Sequence, residues 1–233
     1  MSVRVKICGV CRPEDAAVAV ESGADYIGVI LAPGYGRSRA VEEAARIFEA
    51  GRGARRVGVF VDPAPEELAA TADRLGLDVV QLHGGETPEL IADLRRPGGF
   101  QVWKVVRPRT AADLLEAVTL YAPVCDGILL DGPGRASGAG AGWAGARFPW
   151  DAVAPARSHV PRGLALVVAG GLDPDNVAAA IACLAPDVVD VSSGVEAARG
   201  IKDPDRVRAF VAAARSAPAD GASALPSDLR RTH

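Results

Sequence analysis

Eight short apolar runs, each followed by a longer alanine-rich stretch, constrain the fold of this chain more than any other feature. The runs are continuous in Val, Ile and Leu rather than alternating with polar residues, which is typical of parallel strands covered on both faces. We predict strands over Val3–Cys8, Tyr26–Leu31, Arg56–Val61, Val79–Leu82, Gln101–Val106, Gly127–Leu130, Ala165–Ala169 and Val188–Val191. Strict alternation of strands and helices with short connections predicts a parallel sheet.

The intervening stretches predict eight helices, over Pro13–Ser22, Val41–Ala50, Pro65–Leu75, Pro88–Arg95, Ala111–Leu120, Trp150–Ala156, Asp175–Leu184 and Asp203–Ser216. Eight such repeats in 233 residues favour a closed (β/α)₈ TIM barrel, a single α/β domain over residues 1–216. An open doubly wound sheet is less favoured, because the first turn has no Gly-x-Gly-x-x-Gly motif. The segment 217–233 is rich in Pro, Ala and Ser without apolar periodicity, and we predict a disordered tail there.

Charge and composition exclude several functional classes. A net charge of −3 provides no basic field for nucleic acid, and no apolar run is long enough to span a membrane. The N-terminus enters a predicted strand at once, leaving no room for a signal peptide, and four scattered cysteines do not form a disulfide framework. We therefore expect a cytoplasmic protein.

Lysine is rare in this chain. Only Lys6, Lys104 and Lys202 are lysine, and the other basic side chains are arginine. A retained lysine can mark a position that needs a compact ammonium group, although drift or a surface position would explain it equally well.

Chemistry in a TIM barrel is located at the carboxyl ends of the strands, and two such ends carry ionisable groups. Cys8 ends the first strand and Asp131 follows the sixth. A thiol and a carboxyl group brought to one rim could act as general base and general acid, as a proton-shuttling isomerase requires.

Two glycine-containing turns on the same rim predict a phosphate site. Gly170-Gly171 follows the seventh strand, and Ser192-Ser193-Gly194 follows the eighth. Both turns leave backbone amides uncovered, and the corresponding loops of barrels commonly bind phosphate. We therefore expect a phosphorylated small molecule as substrate.

Other interpretations of the thiol are weaker. Cys8 and Cys11 have the spacing of a redox pair, but the surrounding fold is not the one such motifs require. Cys8, Cys11 and His83 could bind zinc, yet no fourth ligand stands out. We expect no metal and no organic cofactor.

Taken together and in order, these motifs resemble those of the phosphoribosylanthranilate isomerase family of tryptophan biosynthesis. The resemblance runs from about residue 3 to residue 215 and is carried by Lys6-Ile7-Cys8-Gly9, Gln81-Leu82-His83-Gly84, the strand ending at Asp131, Ala169-Gly170-Gly171-Leu172 with Asn176-Val177, and Asp190-Val191-Ser192-Ser193-Gly194-Val195-Glu196. It implies an Amadori rearrangement of an N-glycoside of ribose 5-phosphate, without metal or cofactor, by a monomer or homodimer.

The resemblance also implies roles for individual residues. Cys8 corresponds to the general base, Asp131 to the general acid, and Arg39 to the arginine that engages the anthranilate carboxylate. Gly170, Gly171, Ser192, Ser193 and Gly194 correspond to the phosphate site.

For three further residues we expect either a supporting role at the site or a purely structural role. Lys6 either helps to hold a thiolate at Cys8 or fills a layer of the barrel. His83 is expected to be structural or supporting rather than catalytic. Asp190 either contacts the substrate amine or sugar, or caps a loop.

The loop after the sixth strand departs from the family pattern. Gly132–Arg147 is longer than expected, with Ser137-Gly138-Ala139-Gly140 aligned to a glycine-rich motif and Phe148-Pro149-Trp150 to an aromatic pair. It could be a lid or an inert insertion.

Two alternatives remain open at this stage. One is another phosphate-binding barrel enzyme of tryptophan or histidine biosynthesis, against which the thiol at Cys8 argues. The other is a non-catalytic barrel that binds a phosphosugar, against which the pairing of Cys8 with Asp131 argues.

Overall fold

The eight predicted strands close into one parallel barrel in the computed structural model, which describes residues 2–94, 99–132 and 149–218. In chain order they are β1 Arg4–Ile7, β2 Tyr26–Ile30, β3 Arg55–Phe60, β4 Val79–Leu82, β5 Gln101–Val106, β6 Gly127–Leu130, β7 Ala165–Val168 and β8 Val188–Val191. Each strand pairs with the next in sequence, and β8 pairs back with β1. The prediction of a (β/α)₈ TIM barrel is confirmed.

The helices of the described residues are α1 Pro13–Glu21, α2 Val41–Ala50, α3 Pro65–Leu75, α4 Pro88–Leu94, α5 Ala111–Tyr121, α6 Trp150–Val153, α7 Val177–Leu184 and α8 Pro204–Ser216. A 3₁₀ helix over Ala154–His159 continues α6, and another over Ser193–Val195 follows β8. Helix α7 begins later than predicted because the Asp173 carboxylate accepts the backbone N–H groups of Asp175 and Asn176, both at 2.9 Å, and holds them in a turn.

A short antiparallel ribbon, β9 Glu196–Ala198 and β10 Ile201–Lys202, lies between β8 and α8. The sequence did not predict it, because strands of three and two residues are too short to show a periodicity. The ribbon places Glu196 and Lys202 side by side behind the turn that follows β8.

Two buried layers support the barrel. Residues pointing outward from the strands, such as Val5 and Ile7, pack with the helices in one continuous core. The barrel interior is a separate cluster of Tyr26, Val57, Val79, Trp103, Val105, Leu129, Val167, Ala169 and Val188. Burying each large aliphatic side chain stabilises the fold by about 1.5–3 kcal/mol, so the rim above can carry polar groups at some cost.

The closing pair of the barrel brings the two ends of the sheet together. β1 and β8 are in parallel register, with Lys6 opposite Asp190, and the Cys8 N–H donates to the Val191 carbonyl at 2.8 Å just above them. Residues at the carboxyl ends of the first and last strands therefore become neighbours.

No helix within the described ranges is long and apolar enough to cross a membrane. The predicted tail after residue 218, the loop motif Ser137–Gly140 and Phe148 lie outside the described residues.

Candidate active site

A pocket opens at the carboxyl ends of the strands, where the small-molecule sites of TIM barrels lie. Its lining includes eight of the predicted site residues, namely Cys8, His83, Asp131, Gly170, Gly171, Asp190, Ser192 and Ser193. Lys6 lies beneath the lining, whereas Arg39 and Gly194 lie outside it.

Cys8 follows directly after β1 and points into the barrel mouth, where it packs with Ile30 and Val59. Only 8% of the residue is exposed. Burial raises the pKa of the Cys8 thiol, and the nearby Lys6 ammonium works against that rise. The ionised form of the Cys8 thiol therefore depends on its cationic neighbour.

Lys6 lies next to Cys8 because Gly28 on the adjacent strand has no side chain. A Cβ atom at Gly28 would lie 2.9 Å from Cys8 Sγ, closer than Cβ atoms approach other heavy atoms, and 3.2 Å from Lys6 Nζ, a tight contact. The glycine leaves the space in which thiol and ammonium meet.

Lys6 is fully buried and forms an ion pair with Asp190, with Nζ 2.9 Å from Oδ2. Burial alone would lower the pKa of Lys6, but the Asp190 carboxylate, aided by Cys8, outweighs it and the pKa is raised. Lys6 thus stays charged beside the thiol.

The second carboxylate oxygen of Asp190, Oδ1, is buried and has no hydrogen-bond partner among the described residues. Because Asp190 lines the pocket, this oxygen is placed to accept a hydrogen bond from a ligand.

Asp131 follows β6 on the same rim and contacts His83, whose Nε2 lies 3.4 Å from Asp131 Oδ2. Burial lowers the pKa of His83 to about 4, so its ring is neutral near pH 7 even though Asp131 opposes the shift. Gln81 Nε2 lies 3.3 Å from the other ring nitrogen, Nδ1. An amide N–H donated to Nδ1 would leave the ring proton on Nε2, directed toward Asp131.

The two glycine-containing turns meet at the rim of the pocket. Gly170 and Gly171 both have positive φ, +79° and +71°, a conformation that side chains disfavour. A Cβ atom at Gly194 would collide with the Leu172 carbonyl, so Gly194 lets the turns after β7 and β8 touch. It supports the predicted phosphate site without lining it.

The structure brings Arg37, not the predicted Arg39, to the pocket. Arg39 donates from Nε to the Cys11 carbonyl at 3.1 Å and from Nη1 to the Ser38 carbonyl at 2.6 Å, which ties it to the backbone of the loop. The sequence could not separate the two arginines, because no periodicity fixes the register of the loop between β2 and α2.

All three lysines of the chain are buried at this rim, and each is paired with a carboxylate. Lys6 pairs with Asp190, Lys104 with Glu86 at 2.8 Å, and Lys202 with Glu196 at 3.2 Å. The lysine scarcity noted in the sequence therefore marks buried positions around the barrel rim, although their partners were not foreseen.

Comparison with known families agrees with this arrangement. The family described as N-(5'phosphoribosyl)anthranilate (PRA) isomerase matches residues 5–213. Two proteins named N-(5'-phosphoribosyl)anthranilate isomerase are similar over most of the chain. That of Paramagnetospirillum magneticum is 41% identical, over 92% of this chain and 98% of its own length. That of Chromohalobacter salexigens is 44% identical, over 89% of this chain and 92% of its own length.

Solved structures of the same name share the fold. The phosphoribosyl anthranilate isomerase of Thermotoga maritima aligns with a TM-score of 0.79 and 39% identity, covering 91% of this chain and 98% of that one. Another such isomerase, solved with reduced 1-(o-carboxyphenylamino)-1-deoxyribulose 5-phosphate, aligns with a TM-score of 0.77 and 38% identity over the same shares.

Proposed function

Since the chain belongs to the N-(5'-phosphoribosyl)anthranilate isomerase family, we propose that the pocket at its barrel rim performs the isomerisation, with Cys8 as general base and Asp131 as general acid. The reaction is the Amadori rearrangement of tryptophan biosynthesis, which converts phosphoribosylanthranilate to 1-(2-carboxyphenylamino)-1-deoxyribulose 5-phosphate. One observation carries the assignment: a thiol, a carboxyl group and two amide-rich turns line a single pocket.

Ring opening needs an acid. The protonated Asp131 carboxyl gives its proton to the furanose ring oxygen, the C1–O bond breaks, and the nitrogen lone pair forms a C=N⁺ bond with C1. Asp131 is left as a carboxylate, which the Nε2–H of His83 and the Gly132 N–H can stabilise.

The second step needs a base. The Cys8 thiolate removes the proton from C2, and the C–H electron pair flows into the iminium to give an enolamine. Its hydroxyl then loses a proton while C1 gains one, which yields the aminoketose. The anthranilate nitrogen serves as the electron reservoir, and Lys6 favours the thiolate.

The charged ends of the substrate define its orientation. Gly171 and the Ser192-Ser193 turn offer backbone N–H groups and hydroxyls for the phosphate. We assign the anthranilate carboxylate to Arg37 in place of Arg39, because Arg37 lines the pocket. Asp190 Oδ1 is available to a sugar hydroxyl or the substrate amine.

The assembly and location of the protein belong to the same proposal. We infer a monomer or homodimer in the cytoplasm; a Thermotoga maritima relative that is 39% identical is described as dimeric. A low-charge surface (net −3) fits a metabolic enzyme with a small-molecule substrate.

Turnover of phosphoribosylanthranilate, followed as loss of its fluorescence, tests the proposal. Cys8→Ser and Asp131→Asn should each lower kcat by about a hundredfold or more, the scale of one general base or acid. Wild-type rates in the Cys8→Ser variant would refute the mechanism. A protein that binds phosphosugars but turns none over would instead be the non-catalytic barrel.

A further inference from the structure

The ribbon of β9 and β10 carries a buried charge cluster that the chemical steps do not use. Arg37 grips the Glu196 carboxylate with both sides of its guanidinium, Nε donating to Oε1 at 2.7 Å and Nη2 to Oε2 at 2.6 Å. Lys202 Nζ donates to the same Oε1 at 3.2 Å. Their side chains are 10%, 6% and 1% exposed in the order Arg37, Glu196 and Lys202.

The cluster also reaches the turn after β8. Lys202 Nζ donates to the Ser192 carbonyl at 3.0 Å, and the Gly200 N–H donates to Glu196 Oε1 at 3.3 Å. The Lys202 ammonium group therefore binds both the Glu196 carboxylate, which pairs with Arg37, and the backbone of the predicted phosphate turn at Ser192.

Gly9 packs the two parts together on the pocket side. A Cβ atom there would lie 2.8 Å from Ser192 Oγ and 2.9 Å from Arg37 Cδ, and the φ of Gly9 is +64°. The Arg37 stem and the Ser192 hydroxyl thus lie against the same glycine, one residue after Cys8. Any side chain at Gly9 would push the two apart.

The charges of the cluster suit an anionic ligand. Burial alone would raise the pKa of Glu196, but Arg37 and Lys202 outweigh it and the pKa is lowered, so Glu196 is ionised. Burial lowers the pKa of Lys202. Both Arg37 and Lys202 pair with this carboxylate, and Arg37 is the one of the three that lines the pocket.

The ion pair with Glu196 also determines which guanidinium nitrogen of Arg37 is available to a ligand. Nε and Nη2 are occupied, and Nη1 donates no hydrogen bond within the described part of the chain. A guanidinium held at two points has a fixed plane and a fixed free donor, which lowers the entropy lost when that donor binds a carboxylate.

We propose that Glu196 and Lys202 are positioning residues that tie Arg37 to the Ser192 turn, so that the donors for the two charged ends of the substrate are held at a fixed separation. The proposal rests on the proposed function in one respect, the assignment of carboxylate and phosphate to Arg37 and to the Ser192 turn. Neither Glu196 nor Lys202 lines the pocket, so their effect is on binding rather than on proton transfer.

We call the contacts of Glu196 and Lys202 that join Arg37 to the Ser192 turn the bridge. Calorimetry on the unliganded enzyme with two separate probes, inorganic phosphate and anthranilate, tests it. Glu196→Gln keeps the size of the side chain and removes its charge. We expect the Kd of both probes to rise about tenfold, the cost of weakening a charge-assisted hydrogen bond, with KM for phosphoribosylanthranilate rising in parallel and kcat changing by less than about threefold.

Lys104→Met is the matched control, because it breaks the other buried lysine–glutamate pair on the rim. It should lower the melting temperature to a similar degree yet leave both Kd values within about twofold of wild type. A general loss of rigidity would instead weaken the probes equally in both variants.

The outcomes separate the bridge from the proposed function. A folded Glu196→Gln protein that binds either probe with wild-type affinity overturns the bridge. If that variant does not fold, Lys202→Met replaces it, with a tenfold loss of phosphate affinity expected and an unchanged Kd overturning the proposal. Arg37→Ala with unchanged anthranilate affinity would refute the carboxylate assignment, and wild-type protein without isomerase activity would refute the function.

Discussion

Two opposing effects, burial and a neighbouring ammonium group, decide the ionisation of Cys8. Burial disfavours the thiolate, while the Lys6 ammonium, held charged by Asp190 at 2.9 Å, favours it. The same carboxylate keeps one oxygen free toward the pocket. A single ion pair below the pocket therefore favours a thiolate at Cys8 and leaves one carboxylate oxygen for a ligand.

Arg37 and Arg39 give a direct test at the scale of single residues. Arg37→Ala removes a donor from the pocket and should raise KM for phosphoribosylanthranilate about tenfold or more. Arg39→Ala removes only contacts to the loop backbone and should change KM by less than about threefold. Steady-state kinetics with melting temperatures as a folding control measure both.

The reverse order of effects would show that the loop rearranges when substrate binds and that Arg39 enters the pocket. Equal, small effects would mean that neither arginine holds the carboxylate.

Pocket residues at or just after a strand end could be predicted from the sequence, whereas the arginine from the long loop between β2 and α2 could not. Cys8 and Asp131 each follow an apolar run, so their place on the rim follows from the barrel. Arg37 and Arg39 stand in a loop whose path depends on Glu196, a residue 159 positions away from Arg37. No local pattern contains that information.

Among the elements, the turns after β3 and β4 are joined by one buried carboxylate. Glu86 accepts the backbone N–H groups of Asp62 and Gly84 at about 3 Å and pairs with Lys104 at 2.8 Å. Asp62 has a positive φ of 46°, an unfavourable conformation for a residue with a side chain, and the N–H bond to Glu86 helps to hold it. The turn that follows β4 also carries His83, so these contacts of Glu86 fix the position of His83.

Breaking the Glu86–Lys104 pair should cost much more stability than breaking an exposed pair. Glu86→Gln leaves a buried ammonium without its counter-charge, and we expect the free energy of unfolding to fall by about 3–5 kcal/mol. Glu42→Gln, which breaks the exposed Arg74–Glu42 pair, should change it far less, because exposed ion pairs contribute little. Urea denaturation compares the two.

Similar losses in both variants would contradict the assignment, because they would mean that Lys104 is neutral or reached by water. In that case Glu86 would act only as a hydrogen-bond acceptor for the turns.

The eight barrel strands and the helices were predictable because each strand is a continuous apolar run followed by a longer alanine-rich stretch, whereas the β9–β10 ribbon is too short to show a pattern. Its role depends on contacts with Asp15 and Arg37, which lie 187 residues from Lys202 and 159 residues from Glu196 in sequence. The lysines at the rim were a usable signal, since their rarity marked all three, but their partners are set by the closed barrel.

For the whole molecule, the buried neutral His83 links stability to pH. Its pKa is about 4 in the folded protein against an ordinary value of 6.5, so between these pH values the unfolded chain binds a proton that the folded protein does not. The free energy of unfolding should therefore fall as pH drops through this window, by about 2 kcal/mol from pH 7 to pH 5 for this residue alone.

Replacing His83 tests this linkage without reference to catalysis. In His83→Gln the loss of stability between pH 7 and pH 5 should be smaller than in wild type by about 2 kcal/mol, measured by urea denaturation at both pH values. An equal loss in the two proteins would show that the ring is protonated in the folded state.

The pairing of β1 with β8 has a consequence for how the enzyme is made. Lys6 and Asp190 are 184 residues apart in sequence, so a ribosome synthesises one near the start of the barrel and the other near its end. Until the eighth strand docks, the ammonium group beside the thiol has no counter-charge and the rim lacks the predicted phosphate turn. We therefore expect a chain that stalls before the eighth strand to be inactive.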